Sequence, residues 1–256
     1  MIISSWNVRG MNDPLKQQEV LEFLKGNKVD CGAVETHVKS HLAKVIYKRK
    51  FSFYSLATNY DSHPGGRIWL LWNPSTGKVM VLDSGAQFLH CTLLHYSSQK
   101  NILLTMAYAF NRAQDRYELW HKLNDFNVSL SSDERVGCVL HDREMQDFRD
   151  CLHSCVLEDH PYTVGVYTWH NNQVYSPKWA KLDRILVNPA WFLQIPMSSV
   201  VFLPSGVSDH ASILLTVSSA YNAHKPFRYL NCWSLSPKFA ESVSSGWVAP
   251  SSGSKI

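Results

Sequence analysis

The fold is decided by residues 2–35, which run IISSWNVRGMNDPLKQQEVLEFLKGNKVDCGAVE. The apolar start predicts a short strand, and Asp13 is a capping residue directly before a proline, which is typical of a helix start. Apolar residues then recur at helical spacing, and Val29–Val34 is a short apolar run that favours a buried strand. The segment therefore predicts a β-α-β unit whose two strands end in polar residues, Asn7 and Glu35.

Length and composition exclude several classes of protein. The chain has 256 residues, of which 45% are hydrophobic and 18% are charged, so it can bury a large core and is not a disordered polyampholyte. No apolar run approaches the roughly 18 residues that a membrane helix needs, and the first residues lack the features of a signal peptide. We therefore expect an intracellular protein with no membrane partner. The net charge of +4 permits a nucleic-acid partner without requiring one.

The rest of the chain predicts mostly antiparallel strands with helices between them. This pattern favours an α/β fold in which two sheets pack face to face with helices outside. We expect one domain over residues 1–218 and a poorly ordered connector tail over residues 219–256, because the tail lacks periodicity. The predicted strands are 51–57, 67–72, 78–82, 86–95, 101–108, 165–170, 182–187, 199–203 and 211–217, and the predicted helices are 39–50, 112–123 and 144–155.

Polar side chains that interrupt or follow the apolar segments suggest a chemistry. A single Asp at a strand end is more often a turn or cap residue than a catalytic one. Several carboxylates and a histidine would suit one task if they converge, because carboxylate oxygens hold Mg²⁺ and leave positions for water. The metal then polarises a phosphoryl oxygen, a carboxylate activates water, and a histidine binds the phosphate. The residues concerned are Glu35, Asp125, Asp183, Asp209 and His210, with Asn7, Tyr108 and Asn127 in similar positions.

These residues belong to short motifs that follow one another along the chain: Trp6-Asn7-Val8-Arg9-Gly10, Val34-Glu35-Thr36, Tyr108, Asp125-Phe126-Asn127, Thr168-Trp169, Lys181-Leu182-Asp183-Arg184 and Ser208-Asp209-His210. Together they resemble the endonuclease/exonuclease/phosphatase superfamily. More narrowly, the chain is similar to the apurinic-type endonuclease domain of plant LINE (non-LTR) retrotransposons. Residues 225–233 resemble the connector that leads to the reverse transcriptase in that group, and the resemblance covers nearly the whole chain.

The resemblance implies a four-layer, DNase I-like α/β sandwich that hydrolyses DNA phosphodiesters with Mg²⁺, or alternatively Mn²⁺. It implies that Glu35 binds the metal, with Asn7 and Asp209 beside it. It also implies that Asp125 orients or deprotonates the attacking water with help from Asn127.

The remaining implied roles concern the phosphate and the DNA. Asp183 would hold one nitrogen of the His210 ring while the other nitrogen faces the phosphate. Tyr108 would donate a hydrogen bond to a phosphate oxygen. Arg9 and Thr168 are the candidate DNA contacts.

The chain departs from this family directly before Asp125. Relatives have a buried apolar strand there, whereas here the helical segment 112–123 runs straight into Asn124 and Asp125. A buried strand needs about five or six residues, so we interpret the departure as an in-frame deletion. Each unpaired buried backbone group costs about 1–3 kcal/mol, and we therefore expect impaired catalysis. Because no reverse transcriptase follows, we expect a truncated copy of the element.

Three other functions stay open at this point. The chain could be a non-catalytic DNA-binding remnant, a pseudogene product that does not fold, or a phosphoesterase that acts on small phosphates. If it is an active nuclease, its DNA substrate places it in the nucleus. We expect a monomer.

Overall fold

The structure is a computed structural model, which describes residues 1–108, 110, 132–137, 142–163, 165–218 and 239–248. The chain divides into two compact units, Met1–Ser219 and Ala220–Ile256. The predicted helix 112–123, the interpreted deletion before Asp125 and the connector-like segment 225–233 lie outside the described residues. None of the helices in the described ranges is long and apolar enough to cross a membrane.

The predicted elements that fall in the described residues occur in the predicted order, with further short elements between them, and the strand predicted at 165–170 comprises only Trp169–His170. The strands are β1 (Ile2–Asn7), β2 (Cys31–Glu35), β3 (Ser55–Thr58), β4 (Ile68–Trp72), β5 (Gly77–Ser84), β6 (Phe88–His95), β7 (Lys100–Ala107), β8 (Arg135–Val136), β9 (Glu158–Asp159), β10 (Tyr162–Thr163), β11 (Trp169–His170), β12 (Trp179–Ala180), β13 (Leu186–Val187), β14 (Ser198–Leu203) and β15 (Ser212–Val217). The α-helices are α1 (Pro14–Gly26), α2 (Ser40–Ile46), α3 (Asp142–Ser154), α4 (Pro189–Gln194) and α5 (Phe239–Val248).

A seven-stranded sheet with the order β10-β14-β15-β1-β2-β4-β3 contains the predicted β-α-β unit. In that unit β1 and β2 are adjacent and parallel, and α1 connects them. The Asp13 side chain accepts a hydrogen bond of 2.9 Å from the backbone N–H of Leu15, as expected for a helix cap. The register places Asn7 beside Glu35, so that both polar side chains lie at the carboxyl ends of their strands.

A second antiparallel sheet, β5-β6-β7, packs against one face of the large sheet. Buried side chains of both sheets form one apolar cluster, to which the large sheet contributes Leu70 and Ile213 and the second sheet contributes Leu89 and Leu93. A separate cluster on the opposite face joins α1 and α2 to the large sheet. The predicted α/β sandwich, with two sheets face to face and helices outside, is therefore confirmed.

The strand predicted at 182–187 is shorter in the structure and comprises only Leu186–Val187. The backbone before it bonds to a side chain instead of a neighbouring strand. The Thr168 hydroxyl accepts hydrogen bonds of 2.9 Å from the N–H groups of both Leu182 and Asp183. A buried hydroxyl thus replaces the strand pairing at the point where Asp183 leaves the sheet.

The strand predicted at 51–57 begins only at Ser55. The basic helix before it continues as one π-helical turn over Tyr47–Phe51. Phe51 is fully buried, and its ring packs edge-on against Trp69 with 6.2 Å between the ring centres. Burial of this aromatic ring under the large sheet explains why the helical conformation extends into the predicted strand.

Candidate active site

The carboxyl ends of β1 and β2 carry buried oxygen atoms that have no partner in the residues the structure describes. Asn7 and Glu35 are neighbours in the parallel register, and Glu35 is only 7% exposed. Among the described residues, neither Asn7 Oδ1 nor Glu35 Oε2 has a hydrogen-bond partner. Because buried polar atoms are nearly always paired, unpaired atoms at this edge of a sheet indicate a place for an external ligand.

Two basic side chains face the other oxygen of Glu35. His37 Nε2 lies 2.5 Å from Glu35 Oε1, although the contact is not aligned as a hydrogen bond, and Arg67 Nη1 lies 3.8 Å from the same oxygen. His37 has a φ of 49°, in the left-handed region that residues other than glycine rarely adopt. Such backbone conformations occur often at functional sites.

Asp183 orients the ring of His210. Asp183 Oδ2 lies 2.8 Å from His210 Nδ1, and the Thr168 hydroxyl holds the backbone of Asp183 in place. His210 is 2% exposed, and its Nε2 is buried with no partner in the part of the chain that the structure describes. The carboxylate favours a proton on Nδ1, which leaves Nε2 available to a ligand.

Asp209 and Ser208 attach this motif to the end of β1. Asp209 Oδ2 accepts hydrogen bonds from Trp169 Nε1 at 2.8 Å and from Arg9 Nη1 at 2.9 Å. Ser208 Oγ donates a hydrogen bond of 2.6 Å to the backbone carbonyl of Asn7. Residues that are about two hundred positions apart in the sequence therefore meet at the same strand end.

Tyr108 lies on the Glu35 side of the site. Its hydroxyl accepts a hydrogen bond of 2.8 Å from Arg67 Nη1, and the guanidinium carbon of Arg67 lies 5.1 Å from the ring centre. Burial raises the pKa of Tyr108, the nearby charge of Glu35 raises it further, and Arg67 lowers it. The Tyr108 hydroxyl therefore keeps its proton at neutral pH and can donate it in a hydrogen bond to a ligand.

The two predicted DNA contacts lie in different surroundings. Arg9 has a φ of 46°, and about half of its side chain is exposed while it pairs with Asp209. Thr168 is 1% exposed, and its hydroxyl is used to hold the backbone before β13. A contact of Thr168 with DNA stays a prediction, whereas its contact with the backbone of Asp183 is part of the structure.

The predicted water-activating residues, Asp125 and Asn127, lie outside the described residues. The other predicted residues form neighbouring groups at the strand ends. Asn7 and Glu35 are register partners, Asp183 contacts both His210 and Thr168, Asp209 contacts Arg9, and Tyr108 contacts Arg67.

His37 and Arg67 are site residues that the sequence reasoning does not find. His37 follows Glu35 by two positions, and a basic residue so close to a predicted ligand is a usable signal. Arg67 directly precedes β4, whose first residue, Ile68, pairs with Glu35. The pairing of β2 with β4 is not visible in the sequence, so the approach of Arg67 to Glu35 could not be predicted.

The donor set at the strand ends fits a hard divalent cation. Mg²⁺ binds through one or two carboxylates and keeps several waters. The oxygens of Glu35 and Asn7 that lack partners among the described residues are ligands of this kind. In the described ranges, no group of three or more His, Cys, Asp or Glu side chains is arranged around a common metal position. A cation would therefore have few protein ligands here and would compete with His37 and Arg67 for Glu35.

Comparison with solved structures identifies the fold. The endonuclease domain of TRAS1, a telomere-specific non-LTR retrotransposon, is 10% identical over 86% of this chain and 99% of its own, with a TM-score of 0.61. An AP endonuclease from Archaeoglobus fulgidus is 17% identical over 86% of this chain and 100% of its own, with a TM-score of 0.58. TDP2 from D. rerio, complexed with a single-strand DNA product, is 15% identical over 86% and 99%, with a TM-score of 0.53.

These likenesses show that the chain has the DNase I-like fold. They confirm, at the level of the fold, the predicted resemblance to the endonuclease/exonuclease/phosphatase superfamily. No protein-family model matches the chain. No curated protein matches its sequence either.

Proposed function

We propose that the chain hydrolyses phosphodiester bonds of DNA with a divalent metal ion, Mg²⁺ or Mn²⁺, as the endonuclease domain of a LINE retroelement. One observation carries the proposal: buried polar atoms of Asn7, Glu35 and His210 at one edge of a DNase I-like sheet lack partners among the described residues. The solved structures with this fold include a retrotransposon endonuclease and a protein bound to a DNA product, which supports DNA as the partner.

Glu35 and Asn7, with Asp209 beside them, are the residues that would hold the metal. When bound, the metal supplies charge that stabilises the phosphoryl oxygens and the leaving oxyanion. Asp209 would contribute the oxygen that Arg9 and Trp169 leave unused.

The phosphate contacts come from the other side chains of the site. In the doubly protonated His210 ring, the Nε2–H group donates a hydrogen bond to a phosphate oxygen, while the Asp183 carboxylate accepts the hydrogen bond of Nδ1–H and fixes the ring orientation. Tyr108 donates its hydroxyl proton to a second oxygen. By the resemblance alone, Asp125 orients or deprotonates the attacking water with help from Asn127.

We further propose that the rate is low in this chain. The sequence has no room for the strand that precedes Asp125 in relatives, and a misplacement of about 1 Å can reduce a rate about 100-fold. If the chain is active, its chromosomal substrate implies a nuclear location.

The test is nicking of supercoiled plasmid by the purified chain in Mg²⁺. We expect slow nicking that Glu35→Ala and His210→Ala both abolish. Salt-sensitive DNA binding without metal-dependent nicking would instead favour the non-catalytic remnant. A circular dichroism spectrum that lacks the signal of a folded protein would favour the pseudogene product. Hydrolysis of a soluble phosphomonoester would favour the phosphoesterase that acts on small phosphates.

A further inference from the structure

We propose that Arg67 binds a non-bridging oxygen of the DNA phosphate held between Glu35 and Tyr108. The inference rests on the proposed function and adds a substrate-binding residue to the same site. It starts from the position of the Arg67 guanidinium, one nitrogen of which lies within 4 Å of three side chains of the site. Arg67 Nη1 lies 2.8 Å from the Tyr108 hydroxyl, 3.5 Å from His37 Nε2 and 3.8 Å from Glu35 Oε1.

The rest of the guanidinium is open. In the described part of the chain, the structure gives Nη2 and Nε of Arg67 no hydrogen-bond partner, and 34% of the side chain is exposed. A guanidinium presents five N–H donors in a planar fork that matches phosphate oxygens two at a time. Most of the donor capacity of Arg67 is therefore available to a ligand at the mouth of the site.

A purely structural arginine in the same chain looks different. The side chain of Arg184 is fully buried, and both of its terminal nitrogens contact carboxylates, Nη1 with Asp159 at 2.6 Å and Nη2 with Glu134. If Arg67 served only to neutralise Glu35, its fork would face that carboxylate in the same way. Instead the closest approach is 3.8 Å, beyond hydrogen-bond distance.

The position of Arg67 is nevertheless fixed. Its backbone carbonyl accepts hydrogen bonds from the N–H of Thr36 at 2.8 Å and from the Thr36 hydroxyl at 3.3 Å. Its guanidinium carbon lies 5.1 Å from the centre of the Tyr108 ring, within the range of a cation–π contact. The residue is held at both ends, so little conformational entropy is lost when a phosphate binds.

The experiment measures binding of the full chain to a short fluorescein-labelled DNA duplex by anisotropy, without metal, over a series of salt concentrations. For Arg67→Gln we expect affinity to fall on the order of tenfold, since hydrogen bonds to charged groups are lost. The slope of log affinity against log salt should fall by about 0.9, because one phosphate contact disappears. Arg67→Lys should keep the slope and lose only part of the affinity, because lysine keeps the charge without the fork.

The controls separate a DNA contact from a structural role. Lys78→Gln removes an exposed cation from β5 and should leave affinity and slope unchanged. Tyr108→Phe removes the hydroxyl that Arg67 contacts and should keep the salt slope.

The inference would be overturned if the Arg67→Gln variant kept the DNA affinity and the salt slope of the wild-type chain. If that variant does not fold, unchanged affinity in Arg67→Lys would overturn it. A folded wild-type chain that does not bind the duplex at all would overturn the proposed function itself.

Discussion

The two ends of the β1–β2 strand pair each carry a buried histidine beside an aspartate, but in the described part of the chain only the carboxyl end has unpaired polar atoms. At the carboxyl end, His210 contacts Asp183 at 2.8 Å and has a second ring nitrogen without a partner among the described residues. At the amino end, His95 Nε2 lies 3.7 Å from Asp30 Oδ2, and His95 Nδ1 lies 2.8 Å from the Ser98 hydroxyl. The same residue types are thus used in two ways.

The amino end uses its polar groups to join strand ends. Asp30 Oδ2 accepts a hydrogen bond of 2.8 Å from the N–H of Ile2, and the N–H of Asp30 donates to the carbonyl of Ile2 at 2.9 Å. The carboxyl end leaves atoms of Asn7, Glu35 and His210 without partners from the described ranges, which costs stability unless a ligand fills the site. Substitutions should therefore affect activity at the carboxyl end and stability at the amino end.

The largest effect is expected from Glu35→Gln, which keeps the shape of the side chain and removes its charge. We expect plasmid nicking to fall by at least about 100-fold, because the site loses its most buried carboxylate. The melting temperature should not fall, since no aligned hydrogen bond to the described residues is lost. A lower melting temperature with unchanged nicking would mean that Glu35, like Asp30 at the amino end, serves stability rather than activity.

A smaller loss of activity is expected from Asp183→Asn. The asparagine side chain can present either its oxygen or its NH₂ group to His210 Nδ1, so the ring is no longer held with Nε2–H directed at the phosphate. Loss of such an orienting partner typically costs about 10–100-fold, to be measured as nicking rate under saturating Mg²⁺. The exposed Asp61→Asn is the matched control and should keep the wild-type rate; equal losses in both variants would contradict the assignment.

At the amino end, Asp30→Ala should cost stability rather than activity. The N–H of Ile2 loses its acceptor, and a partly buried unpaired group of this kind costs about 1–3 kcal/mol. The free energy of unfolding, measured in urea, should fall by that amount, while nicking per folded molecule stays at the wild-type level. A fall in nicking without a change in the unfolding midpoint would remove the distinction between the two ends.

Local signals in the sequence predict the carboxyl ends of β1 and β2 well. The cap at Asp13 and the helical spacing after it define the β-α-β unit, and therefore the strand ends at Asn7 and Glu35, because capping and periodicity depend on neighbouring residues only. The pairing of Asp183 with His210 is a different case. It follows from the resemblance, since no local pattern connects residues 27 positions apart.

The position of Arg67 and the contact of His95 with Asp30 depend on contacts between strands that are distant in the sequence. The place of Arg67 follows from the antiparallel register of β2 and β4, which no local pattern specifies. The contact of His95 with Asp30 joins the end of β6 to the start of β2 across the two sheets. A histidine and an aspartate without a motif cannot be assigned to each other before the sheets are packed.

The smallest expected effect is the pH dependence of stability that His95 introduces. Burial lowers the pKa of His95, and the N-terminal amino group lowers it too, while the charge of Asp30 raises it. The folded chain therefore binds the proton less readily than the unfolded chain, whose histidines titrate near about 6.5. This contribution to stability is complete above that pH and is lost as the pH falls through the pKa of the folded state.

The melting temperature should be lower at about pH 5.5 than at about pH 7.5, and His95→Gln should reduce the difference. The exposed His41→Gln, as control, should keep the full difference; if it reduces the difference as much as His95→Gln does, burial of His95 is not the cause.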